Sequence, residues 1–200
     1  MATARRARTD GPRTRLPNAR QAMIEGAVES LRVHGATATS VDRVLAATGA
    51  PRGSVYHHFP GGRTQLVTEA LTTAGELMSR FIEQLTGDAD PVTALELFGA
   101  SWRQMLLDTE FRAGCPIFAV AVETNDDAPE FAATAAEVFT RWERALTGLL
   151  TRDGYPADRA ARLSTLTVAA IEGAVAMCRA RRDTGPLDDV IAELRAILAH

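Results

Sequence analysis

The sequence predicts an all-α protein. Three observations carry that expectation. Apolar residues recur at three- and four-residue spacing along most of the chain, as on one face of a helix. Ala and Leu abound, while the apolar–polar alternation of strands is scarce. Gly and Pro fall mostly at the ends of the periodic segments, where helices stop and start. The chain has 200 residues and 46% hydrophobic content, enough for one sizeable core or a small domain with a larger one. No apolar run approaches the roughly 20 residues that a membrane span needs. The arginine-bearing N-terminus has no apolar segment behind it, which argues against a secretory signal. Two cysteines, Cys115 and Cys178, do not suggest a disulfide framework and favour a cytoplasmic location.

In chain order, residues 1–16 carry Arg5, Arg6, Arg8, Arg13 and Arg15 without apolar period and read as a disordered basic arm. Such an arm suits phosphates or a minor groove, or is a solvated tail. Residues 18–34 form a helix with Ile24, Ala27, Val28 and Leu31 on one stripe, ended by Gly35. Thr39 to Phe59 then reads as two short helices with a tight turn. Val41, Val44 and Leu45 give the first helix its buried stripe. Thr39 or Ser40 caps it, and Asp42, three residues after Thr39, completes a capping-box pattern. Gly49 suits its left-handed end and Pro51 the start of the next helix. That helix, Arg52 to Phe59, has Val55 and Phe59 on one side and Arg, Ser, Tyr and His on the other. A short helix anchored on one face suits a DNA major groove on its other face.

A long helix over 62–85, with Leu66, Ala70, Leu71, Leu77, Met78, Phe81 and Leu85, runs from this head into the body. Gly87 to Pro91 is a break. Further helices are expected over 91–109 (Leu95, Phe98, Trp102, Met105, Leu106 inward), from Pro116 through Val122, over 128–152 (Phe131, Ala135, Phe139, Trp142, Leu146, Leu149), over 157–181 (Leu163, Leu166, Ala170, Ala174, Met177) and over 187–198. The domain organisation that follows is an arm at 1–16, a three-helix DNA-binding head at 17–62 and a larger helical body at 63–200.

Charge supports the division. Residues 1–63 hold 10 Arg and 4 acids, a net +6, while residues 64–200 hold 12 Arg and 21 acids, a net −9, within an overall −3. A basic head on an acidic body fits duplex DNA as the head's partner. All 22 basic residues are Arg.

The run from Thr39 to Phe59 resembles the helix-turn-helix of TetR-type repressors, whose pattern is roughly Thr-Ser-Val, an aliphatic-Ala pair, Ala-Gly, then Gly-Ser/Thr-aliphatic-Tyr-His-x-Phe; here Thr48 separates Ala47 from Gly49. The continuation Phe59-Pro60-Gly61-Gly62-Arg63, with the fragment Gly114-Cys115-Pro116-Ile117-Phe118, is similar to the LmrA/YxaF-like branch. The resemblance implies a homodimeric, ligand-responsive repressor on a palindromic operator. It implies phosphate contacts for Tyr56 and His57, and it sets Arg63 where the family has lysine. The residue types add Thr39 and Ser40 as hydroxyl and amide donors at a helix start, Arg43, Arg52 and Ser54 as candidates for base edges, and Gly53 for close backbone approach. His58 faces another side, with a capping or intraprotein role equally open. Pro51 departs from the serine common in the family, so helix entry rests on proline's fixed φ.

In the body, Trp102, Met105, Phe118, Phe139, Trp142 and Met177 form either ordinary core or an apolar pocket with Glu123, Glu172 and Asn125 as polar groups. The resemblance favours the pocket and a small apolar or amphipathic effector. Cys115 is a further candidate as a redox or covalent sensor. Small residues Ala169, Ala170, Gly173 and Ala174 and the stripe Leu187, Ile191, Leu194, Leu198 make the last two helices the expected dimer face, unless they pack within one chain. No cofactor, metal or membrane partner is expected. Phosphate loops, HExxH and paired CxxC are missing from the sequence, so an enzyme is not expected. The competing reading is a small-molecule-binding helical module without DNA-binding activity.

Overall fold

A computed structural model describes residues 19–123 and 128–199; the basic stretch 1–16 and Asn125 lie outside them. Nine helices make up the described residues: α1 (Ala19–His34), α2 (Val41–Thr48), α3 (Arg52–His58), α4 (Gly62–Asp88), α5 (Pro91–Asp108), α6 (Pro116–Ala121), α7 (Pro129–Arg152), α8 (Ala157–Arg181) and α9 (Gly185–Leu198). The expected helices are all present. Their ends moved where local chemistry outweighed pattern. α4 continues through Gly87 to Asp88, and Asp90 starts α5 by accepting the Val92 and Thr93 amides at 3.0 Å each. Arg152 of α7 donates to the Thr86 carbonyl near the end of α4.

α1, α2 and α3 pack around Met23, Ala27, Leu31, Val44, Val55 and Phe59, closed from one side by Leu66, Val67, Ala70 and Leu71 of α4. The far half of α4 packs against α7, and α5 to α9 complete the body. Two glycines mark where helices approach too closely for a side chain. A Cβ on Gly75 of α4 would lie 2.5 Å from a Val138 methyl of α7, and one on Gly99 of α5 2.8 Å from Ile191 of α9. The Trp142 indole donates to the Ser79 hydroxyl at 3.1 Å, a buried tie between α7 and α4.

Three inward expectations are corrected. Leu77, Leu166 and Met177 are 57, 45 and 46% exposed. The dimer stripe is corrected in the other direction: Leu187, Leu194 and Leu198 are buried within the chain, with Ile191 seated on Gly99. α8 presents Leu166, Ala169 and Met177 outward instead. By length and mean hydropathy, 1.3 over its most apolar stretch, α8 would also suffice to cross a membrane, yet Leu163, Ile171, Ala174, Val175 and Cys178 pack into this core.

Candidate nucleic-acid interface

The candidate surface is built on α2 and α3. Ser40 takes the N-cap of α2, its hydroxyl accepting the Arg43 amide at 3.2 Å, so the capping box expected from Thr39 and Asp42 does not form. Gly49 closes the helix at φ 67°, the left-handed conformation that suits glycine, and its amide reaches the Leu45 carbonyl at 2.9 Å. Pro51 precedes α3 at φ −66°. It brings no side-chain cap, and its carbonyl accepts both the amide and the hydroxyl of Ser54, at 2.9 and 2.6 Å. α3 ends at His58, with Phe59 as its cap.

α3 is held by one edge. Val55 and Phe59 are fully buried, and the Arg20 guanidinium lies over the Phe59 ring at 5.3 Å. The opposite edge is open: Tyr56 is 70% exposed, and Arg52, Gly53 and His57 are exposed with it. A Cβ on Gly53 would meet nothing within 4 Å, so nothing in the chain crowds the helix backbone there. His58 is half-buried, its ring edge-on to His57 at 5.0 Å. Arg52 spans to α2 and pairs with Asp42 at 2.8 Å, both side chains largely in solvent. Arg43 is exposed, with Nε donating to the Ala38 carbonyl at 3.1 Å. Arg43, Arg52, Gly53, Ser54, Tyr56 and His57, with Ser40 at the start of α2, thus belong to one short two-helix element.

Two expected contact residues lie behind that element. Thr39 is buried, its hydroxyl donating to the Gly35 carbonyl at 2.7 Å and lying 2.9 Å from the Ser30 hydroxyl. A buried hydroxyl already satisfied from both sides cannot also meet a phosphate, so that expectation is corrected. Arg63 is engaged inward. Its Nε donates to the Thr39 carbonyl at 2.8 Å, Nη2 donates to the Ala36 carbonyl, and the guanidinium lies 5.7 Å from the Phe131 ring of α7. It fastens the start of α4 to the loop before α2.

The same loop is held from the other side by a residue the sequence offered only as a pocket group. Glu123, just past α6, accepts the Ala36 amide at 2.8 Å and the Thr37 amide at 2.7 Å. The two partners are 87 and 86 residues away in sequence, so no local pattern signals the contact.

The expected body pocket is not a single cavity, and Trp142 and Glu172 also border a small one of about 60 Å³ with Phe98, Leu146 and Ile171. Trp102, Met105 and Trp142 line a cavity of about 350 Å³ together with Met78 and Phe81. Phe139 packs edge-on against Trp142 at 5.4 Å and is not in its lining. Phe118 and Glu123 line a different cleft, of about 330 Å³, on the other side of Gly114 and Cys115. Met177, expected in the pocket, points outward. Glu172 is 5% exposed, and burial pushes its carboxyl up to about 7, against a smaller opposing hydrogen bond from Cys115. Cys115 is itself buried, and burial together with the nearby Glu172 charge pushes its thiol well up. A thiol held protonated this way is a poor nucleophile, which counts against the sensor reading.

A short helix anchored on one edge and open on the other, carried by a larger helical body, defines a helix-turn-helix DNA-binding regulator. The comparisons agree. The bacterial regulatory protein tetR family profile matches residues 23–70, and the profile of the LmrA/YxaF-like transcriptional regulator C-terminal domain matches residues 91–193. The chain belongs to the TetR family of transcriptional regulators, in its LmrA/YxaF-like branch, and these are DNA-binding regulators rather than enzymes. It is 45% identical over 185 residues to the HTH-type transcriptional regulator Rv0196 of Mycobacterium tuberculosis, covering 90% of this chain and 93% of the relative. It is 30% identical over 171 residues to YxaF of Bacillus subtilis, covering 85% and 90%. The fold matches the regulatory protein TetR from Rhodobacter sphaeroides at TM-score 0.82 and 23% identity, over 89% of this chain and 97% of that one. It also matches a cysteine mutant of CifR crystallised with 26-bp operator DNA, at TM-score 0.75 and 18% identity, over 94% and 98%.

Proposed function

We propose that this regulator is a ligand-relieved repressor that binds a palindromic operator as a homodimer. The single observation behind it is the asymmetry of α3: Tyr56 is 70% exposed between Val55 and Phe59, which are fully buried. On this reading Tyr56, His57 and Ser40 contact phosphates, while Arg43, Arg52 and Ser54 approach base edges beside the unobstructed Gly53. The head ends where α4 begins, and the protomers join through the outward face of α8. An apolar effector occupies the Trp102–Met105–Trp142 cavity and favours the DNA-free arrangement by binding it more tightly. The CifR complex supports this by showing that a protein of the same fold engages duplex operator DNA.

The test is binding of the dimer to duplex DNA from its own promoter region over a salt series. A regulator that neutralises several phosphates loses affinity steeply as salt rises. A flat salt response, or equal affinity for promoter and random duplex, overturns the operator reading and favours a ligand-binding module. Relief by ligand is read separately, by adding the promoter-bound complex to candidate apolar effectors.

A further inference from the structure

The 330 Å³ cleft lies between α1, α6 and α8, with Val33, His34 and Gly35 on one wall, Phe118 to Glu123 on another and Glu172 to Arg179 on the third. The third wall carries the buried Glu172, which also borders a smaller cavity beside Trp142 and whose Oε2 has no hydrogen-bond partner. An orphaned acceptor in a buried carboxylate is costly unless something donates to it. Around it the cleft is apolar: Phe118, Ala119, Val122 and Val175 line it, and Val122 is 65% exposed at its rim.

The charged and titratable groups facing this space are few. Glu123 comes from the end of α6, His34 from α1, Cys115 from the start of α6 and Arg179 from α8. Arg179 is seven residues beyond Glu172 on α8, about 10 Å along the axis. Its Nη2 is committed to the Arg112 and Val33 carbonyls at 2.9 and 3.3 Å, while its buried Nε, like Glu172 Oε2, has no hydrogen-bond partner. Two carboxylates, Glu172 and Glu123, and one guanidinium line the cleft, a balance that favours a cation at its carboxylate end.

We propose that this cleft binds a small apolar amine, its ammonium group on the Glu172 carboxylate and its hydrocarbon against Phe118, Ala119, Val122 and Val175. The volume is at the lower end for small-molecule sites and suits a chain or ring of modest size. The inference rests on the ligand-responsive reading and deepens it with a ligand class and a second place of binding. It also supplies a route to the head. Glu123 forms part of the same wall and holds the Ala36 and Thr37 amides. An occupant that displaces Glu123 loosens the loop in front of α2.

The experiment titrates the full chain with n-octylamine and with 1-octanol by calorimetry at pH 8, where Glu172 is ionised. The amine is expected to bind at least tenfold more tightly than the alcohol. In Glu172→Gln that preference disappears, and in Ala119→Phe, which fills the cleft, both ligands weaken together. Equal binding of amine and alcohol to the native chain, or an undiminished preference in Glu172→Gln, overturns the site. Operator affinity is measured in parallel. Loss of affinity at saturating amine supports the route through Glu123, and tight amine binding with unchanged operator affinity overturns that route. A chain that binds the amine but no promoter DNA counts against the repressor reading alone.

Discussion

One carboxylate oxygen of Glu123, Oε2, accepts two hydrogen bonds from Thr37, the amide at 2.7 Å and the hydroxyl at 2.6 Å. The other oxygen accepts the Ala36 amide at 2.8 Å. The body therefore grips the backbone of the loop that leads into α2.

Glu123→Ala removes all of these acceptors. Stability is expected to fall by about 1–2 kcal/mol, the range for hydrogen bonds to a charged but half-exposed group. Hydrogen exchange at the Ala36 and Thr37 amides should quicken more than exchange in α2. Gly35→Ala should be worse. Gly35 sits at φ 77°, and an added Cβ would lie 1.9 Å from Glu123 Oε1, so both the backbone and the grip are disturbed. Chemical denaturation of the two variants checks the order.

Arg52→Ala should lower operator affinity by about 1–3 kcal/mol and relax specificity at one base position. Tyr56→Phe should weaken binding to all sequences alike, since a lost phosphate contact carries no sequence information. Asp42→Asn has the opposite expected sign. Arg52 must leave Asp42 to meet DNA, and removing that competitor, with its like charge to phosphate, strengthens binding at low salt. Fluorescence anisotropy with a labelled operator measures all three.

Glu172 makes stability depend on pH. Its folded carboxyl titrates near 7 against an ordinary 4.5, so the folded protein holds a proton that the unfolded chain has lost between those values. Stability attributable to this group therefore falls as pH rises from about 4.5 to 7 and levels off above. The full difference is on the order of 3 kcal/mol. Glu172→Gln should flatten this fall and be the more stable protein at pH 8, by urea titrations across the range.

Gly173→Leu tests the dimer face. Nothing lies within 4 Å of a Cβ at Gly173, so one protomer accommodates the change. A leucine between Ala169 and Met177 would hold two α8 helices apart. The expected result is a folded monomer by sedimentation, with operator binding weakened because two half-sites are no longer held together. A dimer of native affinity would assign the contact to another face.

The helices were legible in the sequence because their determinants are local: apolar spacing in α1 and α7, Gly49 at a left-handed end, proline at the start of α5 and α6. The exposed edge of α3 was legible for the same reason. Thr39 and Arg63 were misjudged because a hydroxyl or guanidinium looks the same in sequence whether it faces water or a carbonyl. Only the packing of α1 against α4 decides that Thr39 is buried and that Arg63 turns to Ala36. Leu187, Ile191, Leu194 and Leu198 gave a correct amphipathic stripe, but periodicity does not say which neighbour covers it; Gly99 receives Ile191 here. Glu123 and Glu172 owe their settings to residues far along the chain, beyond any local signal.

α4 runs unbroken for 27 residues from beside the loop held by Arg63 to the Thr86 carbonyl held by Arg152. A helix of that length is about 40 Å long and stiff. Pivoting it by five degrees at one end sweeps the other through about 3.5 Å, close to the roughly 3.4 Å rise of a single base step. If an effector acts beside Trp142 as proposed, a sub-ångström rearrangement there would be magnified geometrically, and angular precision, more than contact strength, would govern operator recognition.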